Sequence, residues 1–175
     1  MIKKISNLIN SSYVWFIAFL ILIFSNLLFN KAEATPTFVD SFSVASQETS
    51  PQSVAFNTDG TKMFVLGSAG DDVNEYTLST GFDVSTASFV DSFSVSGQET
   101  NPTGLAFNTD GTKMFVTGFA GDDVNEYTLS SGFDVSTASF VDSFSVSGQE
   151  IAPLGLAFNT DGTKMFVTGS AGDDV

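Results

Sequence analysis

Two recurring groups of carboxylates are the residues of this chain best suited to chemistry. The first contains Asp71, Asp72 and Glu75, and the second contains Asp122, Asp123 and Glu126. Clustered carboxylate oxygens are the ligands that Ca²⁺ prefers, but the spacing differs from the Asp-x-Asp-x-Asp-Gly pattern of a dedicated calcium loop. A solvated turn is the competing interpretation. We therefore predict no cofactor, and a Ca²⁺ site at these residues is the alternative.

The residue types that are absent exclude several kinds of active site within this sequence. The chain has no histidine and no cysteine, and all 6 of its basic residues are lysines. This composition excludes acid–base catalysis by histidine, a thiol nucleophile, and zinc or haem ligation through His or Cys. It also excludes an arginine clamp on a phosphate or carboxylate. We predict no catalytic residue here, and an enzymatic role is left open but disfavoured.

An internal repeat of 51 residues sets the positions of these side chains. The segment that begins at Phe38 returns at Phe89 and Phe140, and an Asn-Thr-Asp-Gly sequence returns in step. A fixed period of this length indicates a stacked or circular repeat fold. Near-identity of the copies disfavours an active site, because catalysis needs different residues that converge on one point. The copies run over 38–88, 89–139 and 140–175, and the third is truncated.

The middle copy has the pattern of four antiparallel strands. Asp110-Gly111 predicts a tight turn, because Asp supplies a side-chain acceptor and Gly supplies the positive φ. Short apolar or alternating runs flank this turn and the loops that follow it. Four antiparallel strands in about 50 residues make one blade of an all-β β-propeller. The predicted strands cover 104–107, 113–117, 124–129 and 139–146.

One stretch of each copy resembles the blade motif of bacterial YVTN/lactonase-like β-propellers. The strand Pro102–Phe107 leads through Asp110-Gly111 to Phe115-Val116-Thr117, as a Pro-x-Gly-aliphatic strand does in that family. The copy departs at Gly118, where the family often has Asn, and at Asn108, where Ser or Thr is usual. The resemblance implies the fold and leaves the reaction open, because the same blade carries enzymes, cofactor binders and scaffolds.

The phase of the repeats predicts an incomplete arc of blades. Residues 38–44 have the pattern of a fourth strand without the three before it, and the third copy stops after its second strand. The arc therefore has about 2.7 blades, whereas a ring needs at least about four. We expect a partial propeller over 35–175 after an N-terminal signal helix, in a fragment of a longer product. Assembly of several arcs into a ring is the alternative.

Differences between the copies gather at one rim of the predicted blades. They fall in or beside the loop before strand one and the loop after strand two, and only Thr80/Ser131 lies at the opposite rim. Phe119 is an aromatic residue in a loop of otherwise small residues, and exposed aromatics often mark contact surfaces. The candidate binding residues are Phe119, Asn101, Thr103, Ser68 and Ser170.

The first 34 residues have the pattern of an export leader. Lys3 and Lys4 precede an apolar run over 13–29, and Ala32-Glu33-Ala34 matches a signal peptidase site. Cleavage of a signal peptide over 1–34 predicts a bacterial protein that is periplasmic, secreted or on the cell surface. An uncleaved leader would be a signal anchor and the only contact with a membrane.

The charge of the repeat region limits its partners. Residues 35–175 carry three lysines and all but one of the 20 carboxylates of the chain. Such an acidic surface repels phosphate backbones, so we predict no nucleic-acid partner. The resulting hypothesis is an exported repeat scaffold that binds an unknown protein or extracellular polymer through its loop face. The alternative is a lactonase-like or hydrolytic enzyme whose catalytic residues lie in missing blades.

Overall fold

A computed structural model describes residues 36–172 and Val175. The predicted leader, residues 1–34, lies outside this part of the chain. Within it, no helix is both long and apolar enough to cross a membrane.

Three antiparallel sheets follow one another along the chain, as predicted for an incomplete arc of propeller blades. The first two have four strands each in sequential order, and the third has two in its described part. A 3₁₀ turn precedes the fourth strand of each complete sheet, at Val84–Thr86 and Val135–Thr137. The strands are β1 Pro51–Phe56, β2 Lys62–Gly67, β3 Asp72–Leu78, β4 Ala87–Ser94, β5 Pro102–Phe107, β6 Lys113–Gly118, β7 Asp123–Leu129, β8 Ala138–Ser145, β9 Pro153–Phe158 and β10 Met165–Gly169.

The Asp-Gly turns have the predicted geometry. Gly111 has a φ of 71°, and the Asp110 carboxylate accepts hydrogen bonds from the Thr112 N–H at 3.0 Å and the Thr112 hydroxyl at 2.6 Å. The Asn108 side-chain oxygen accepts the N–H of Lys113 at 2.9 Å. Local side-chain acceptors thus close the hairpin between β5 and β6, and the first and third sheets repeat the arrangement.

The sheets pack face to face through aromatic side chains. The innermost strand β5 contacts β1 on one side and β9 on the other. Phe64 of the first sheet is fully buried, and its ring centroid lies 4.5 Å from that of Phe107 and 6.1 Å from that of Phe133. Between the second and third sheets, the ring centroids of Phe115 and Phe158 lie 4.4 Å apart, which repeats the contact of Phe64 with Phe107. Apolar burial between consecutive blades therefore forms the main core.

An ion pair within the first sheet is also hydrogen-bonded to the second sheet across their junction. The Lys62 ammonium lies 2.7 Å from a Glu75 carboxylate oxygen and donates a second bond, at 2.6 Å, to the Phe133 carbonyl. The other Glu75 oxygen accepts the Val135 N–H at 3.0 Å. The position of Lys62 directly after the hairpin turn predicts a side chain that points into solvent. That prediction is wrong, because the next blade brings a carbonyl to the ammonium and covers the carboxylate.

The segment before β1 differs from its predicted strand. Residues 38–44 form no strand ladder in the described structure, although their sequence matches that of β4 and β8. The Phe42 ring nevertheless packs edge-on against Tyr76 at 5.7 Å, much as Phe93 of β4 packs against Tyr127 at 5.5 Å. A strand needs a neighbour for its backbone N–H and C=O groups. Here the side-chain packing is present without such a neighbour.

Candidate binding face at one edge of the blades

Two loops of every sheet meet at one edge. Antiparallel pairing places Pro102 at the start of β5 opposite Gly118 at the end of β6. The Phe119 N–H then donates to the Asn101 carbonyl at 3.1 Å. Equivalent bonds join residues 68 to 50 and 170 to 152. We call these loops the loop edge, and they comprise 44–50 and 68–71, 95–101 and 119–122, and 146–152 and 170–172.

A buried glutamate holds each pair of loops together. Glu99 is fully buried, and its carboxylate accepts the N–H of Asn101 at 2.7 Å and that of Ala120 at 3.0 Å. Glu48 and Glu150 occupy the same place in the first and third sheets. Such charge-assisted bonds compensate the carboxylate for lost water and fix the loop backbone. The loop edge is therefore preorganised.

The glycine that ends the second strand is required by this glutamate. A Cβ added at Gly118 would overlap the Glu99 carboxyl group and the Asn101 carbonyl oxygen. The same overlap arises between Gly67 and Glu48, and between Gly169 and Glu150. Sequence reasoning missed the glutamates. The available signal was a Gln-Glu pair that recurs with the repeat ahead of each first strand.

These backbone bonds affect the ionisation of Glu150. The pKa of Glu150 lies below its ordinary value, mainly because the carboxylate accepts the N–H of Gly172. Desolvation acts in the opposite direction, and the N–H groups of Ala152 and Ala171 lower the pKa further. A lowered pKa in the folded state means that the ionised carboxylate stabilises the fold. This contribution is fully present above the unfolded-state pKa of roughly 4.3 and is lost as the pH falls through the lower folded-state pKa.

Glutamine at position 150 is expected to remove this pH dependence. At pH 7 the wild-type chain should melt at a higher temperature than Glu150→Gln, because only the carboxylate accepts all of these N–H groups with a full charge. The difference should shrink as the pH falls below the unfolded-state pKa of roughly 4.3, because the unfolded chain then binds a proton that the folded carboxylate does not yet take up. Thermal melts of both chains from pH 7 to pH 3 provide the measurement. A difference that stays constant over this range contradicts the assignment.

Four of the five predicted binding residues lie on the loop edge at or near the surface. Asn101 and Ser170 are exposed, and Phe119 is 39 % exposed. Ser68 is half-buried and joins a hydroxyl–amide cluster, in which the Gln52 side-chain amide donates to its hydroxyl at 3.1 Å. Each sheet therefore presents different groups on the same backbone frame.

Thr103 does not face solvent, which corrects its place among the binding candidates. It is 7 % exposed, and its hydroxyl lies within hydrogen-bonding distance of the Thr117 carbonyl at 3.2 Å and the Pro153 carbonyl at 2.8 Å. The hydroxyl thus links the second sheet to the third beneath the loop edge. At the equivalent position of the third sheet, Leu154 is 43 % exposed, and nearby Ile151 is 63 % exposed. In this sheet the loop edge thus includes the apolar side chain of Ile151, and Leu154 lies beside it in β9.

The first cluster of carboxylates predicted to bind Ca²⁺ is divided between the two faces of a strand. Asp72 and Glu75 are three residues apart in β3, so alternation directs their side chains to opposite faces. Asp72 accepts the Asn74 side-chain amide at 2.7 Å, and burial raises its pKa. Asp71 lies in the preceding turn with a φ of 49°. Glu75 is 2 % exposed and is held by Lys62.

The second group repeats this division, with Glu126 paired to Lys113 at 2.6 Å and Asp123 bonded to Asn125 at 2.8 Å. Asp122 takes the turn position, with a φ of 48°. Over residues 36–172, no three carboxylates come close enough together to hold a metal ion. Calcium binding stays a prediction, now limited to the adjacent aspartates Asp71 and Asp72 and their equivalents Asp122 and Asp123.

Solved structures with the same fold include lactonase-like propellers. A periplasmic gluconolactonase from Pseudomonas aeruginosa superposes with a TM-score of 0.50 at 16 % identity, over 68 % of this chain and 32 % of its own. A candidate 6-phosphogluconolactonase from Bacteroides fragilis gives 0.53 at 15 % identity, over 67 % and 31 %. The β-propeller domain of Cps50 (Swd1) from Myceliophteria thermophila gives 0.53 at 9 % identity, over 70 % and 38 %.

The chain is a β-propeller arc. The predicted likeness to lactonase-like propellers is confirmed for the fold, and identities this low show the fold alone. This chain spans about a third of the length of each of these structures. No family model and no curated protein matches its sequence.

Proposed function

We propose that this protein is an exported β-propeller scaffold that binds a protein or an extracellular polymer through its loop edge. The observation that carries the proposal is Phe119, an aromatic side chain that is 39 % exposed on a loop fixed from below by the buried Glu99. A rigid loop binds with a smaller loss of conformational entropy than a flexible one. Aromatic anchors contribute a large share of the binding energy at interfaces.

Variation among the repeats supports the same proposal. The backbone of the loop edge is the same in all three sheets, whereas its side chains change from hydroxyl and amide groups to an aromatic ring and then to aliphatic groups. The connection between the third and fourth strands is longer, yet it differs only at Thr80/Ser131 between the first two copies. Substitution has therefore concentrated where a partner would make contact, while the frame is kept.

Export is part of the proposal and is supported by two observations. The predicted leader over 1–34 has the basic start, apolar run and small-residue cleavage site of a signal peptide. One of the solved structures that share the fold is named as periplasmic. The acidic repeat region, which lacks cysteine, needs no disulfide because its sheets pack through aromatic residues.

A lactonase-like enzyme is the alternative, because two of the solved structures that share the fold are named as lactonases. Propeller folds carry many unrelated functions, so the fold does not identify a reaction. In the described sheets the buried carboxylates of the loop edge are occupied by backbone N–H groups. They therefore act as structural anchors, and the binding role is the function that these residues support better.

Retention on insoluble polymers and on envelope proteins tests the binding role. We expect the purified chain to be retained by one of peptidoglycan, cellulose, chitin or an immobilised extract of bacterial envelope proteins. Bovine serum albumin, another acidic protein, is the control for nonspecific adsorption. Retention of the chain at the level of this control on every probe would contradict the proposal.

A further inference from the structure

Charge is distributed unevenly between the two ends of the strands. The three lysines within residues 36–172 lie at or just before the start of the second strand of their sheets, at the end opposite to the loop edge. Lys62 and Lys113 are also paired with Glu75 and Glu126. The loop edge, together with the first residues of β3 and β7, contains no basic residue and seven carboxylates, which are Glu48, Asp71, Asp72, Glu99, Asp122, Asp123 and Glu150. This edge therefore carries a negative charge without a counterion of its own.

The hydrogen-bond partners of these carboxylates are neutral and do not cancel their charge. The buried glutamates accept backbone N–H groups, and Asp72 and Asp123 accept the side-chain amides of neighbouring asparagines. Burial raises the pKa of Asp72, and the charges of Glu48 and Asp71 raise it further. Burial likewise raises the pKa of Asp123, with a smaller contribution from the charge of Asp122. A cationic group placed beside these aspartates would stabilise their ionised form.

Two buried polar atoms of the first sheet have no hydrogen-bond partner among the described residues. They are Oδ1 of Asp71 and the hydroxyl of Tyr76, whose side chain is fully buried. Tyr76 lies on the same face of β3 as Asp72, and the Asp72 charge is the largest cause after burial that raises the pKa of Tyr76. The repeat equivalent Tyr127 donates to Gln98 of the loop edge at 3.3 Å. The Tyr76 hydroxyl is therefore directed toward the loop edge, where a bound N–H donor would also supply the bond that Asp71 lacks.

Exposed apolar side chains accompany the negative charge. Phe119 follows β6 directly and stands three residues before Asp122 in the same loop. Ile151 is exposed in the third sheet, and its equivalents Thr49 and Thr100 are exposed in the first two, so this position faces solvent in every copy. Apolar groups surrounded by carboxylates fit a partner that carries apolar and cationic side chains together.

We propose that the loop edge binds a basic polypeptide segment, whose lysine or arginine side chains pair with the half-buried aspartates and whose apolar side chain packs on Phe119. This inference rests on the binding function proposed above and narrows the partner to a protein with a positively charged segment. The cationic groups bind at Asp71 and Asp72 in the first sheet and at Asp122 and Asp123 in the second. A neutral polysaccharide offers these carboxylates no counterion, and an anionic polymer is repelled by them.

Titration of the full chain into a fluorescein-labelled peptide, Gly-Lys-Phe-Lys-Gly-Lys-Phe-Lys, tests the class of partner. Fluorescence anisotropy is measured in the presence of a chelator, so that a divalent cation does not compete for the aspartates. We expect saturable binding that weakens at least about tenfold when glutamine replaces every lysine of the peptide. Absence of saturable binding, or equal binding of the glutamine peptide, would overturn this inference. Retention of the chain on a polymer or envelope protein would in that case still support the binding function.

Two variants of equal net charge locate the bound peptide. The loop-edge variant carries asparagine at four aspartates, which are Asp71, Asp72, Asp122 and Asp123. The control variant carries asparagine at four aspartates of the opposite end, which are Asp59, Asp83, Asp110 and Asp134. We expect the first variant to bind at least about tenfold more weakly and the second to stay within about threefold of the wild type. Equal weakening would show a response to net charge alone and overturn the assignment.

Circular dichroism establishes that both variants are folded. Asparagine keeps a side-chain acceptor at every position, and it tolerates the positive φ of Asp71 and Asp122. Should a fourfold variant unfold, Asp122→Asn is compared with Asp110→Asn. The first should weaken binding about threefold and the second should leave it unchanged, and equal effects of the two would again overturn the assignment.

Discussion

Replacement of Glu75 by glutamine is expected to lower the free energy of unfolding by about 3 kcal/mol, because it leaves the Lys62 ammonium without its counterion in a mostly buried site. Glu75 is 2 % exposed and its partner is 28 % exposed, so little water reaches the pair. The glutamine side-chain oxygen can still accept the Val135 N–H. The loss therefore comes mainly from the ion pair and from the Lys62 charge that remains beneath the Phe133 segment.

Glu126→Gln is the matched control for this change, since the chain supplies the same pair in a more open setting. Glu126 is 28 % exposed and Lys113 is 46 % exposed, so the same substitution should cost less than about 1 kcal/mol. Urea unfolding followed by circular dichroism measures both values. Equal losses in the two variants would show that the next blade does not strengthen the ion pair.

Phe64→Ala is expected to cost about 3 to 5 kcal/mol, the range for removal of a large side chain from a packed core. The Phe64 side chain is fully buried between the first and second sheets, against Phe107 and Phe133. Its truncation creates a cavity at a blade junction, where the neighbouring backbone is held by strand pairing on both sides. We therefore expect little relaxation and a loss in the upper part of this range.

The repeat equivalent Phe166 gives the comparison for this second prediction. Phe166 lies on β10 and is 45 % exposed, so its truncation should cost about 1 kcal/mol or less. Both variants are unfolded in urea under the same conditions. The dependence of the unfolding free energy on urea concentration is compared as well, because this slope reports the surface area exposed on unfolding. If the two alanine variants lose similar stability, the junction between the first two sheets is not the centre of the core.

The features that could be predicted from the sequence are those set by local chemistry. The Asp-Gly turns, the strand pattern and the blade follow from residues within one copy, and the structure reproduces them. The sequence also predicts that the two variable loops lie at the same edge of the sheet, because antiparallel strand order places the start of β5 beside the end of β6. These predictions need no knowledge of neighbouring blades.

Predictions failed where a residue acts on another blade or on a distant backbone. Lys62 was predicted to face solvent, but it donates to the carbonyl of Phe133, 71 residues further on. Thr103 was assigned to the binding face, but Pro153, 50 residues further on, buries its hydroxyl. Glu99 was overlooked because its partners are loop N–H groups, and N–H groups are carried by every residue type except proline. Repeat periodicity identifies such positions without revealing what they contact.

The most direct test of the proposed binding face compares serine variants of two phenylalanines that are similarly exposed. Binding of each variant is measured on the polymer or protein extract that retains the wild-type chain. Phe119 on the loop edge is 39 % exposed, and Phe140 on β8 is 42 % exposed. We expect Phe119→Ser to weaken binding to that probe by about tenfold or more, whereas Phe140→Ser leaves the dissociation constant within about twofold of the wild type. Equal weakening by both changes, or unchanged binding by Phe119→Ser, would contradict the assignment of the loop edge as the binding face.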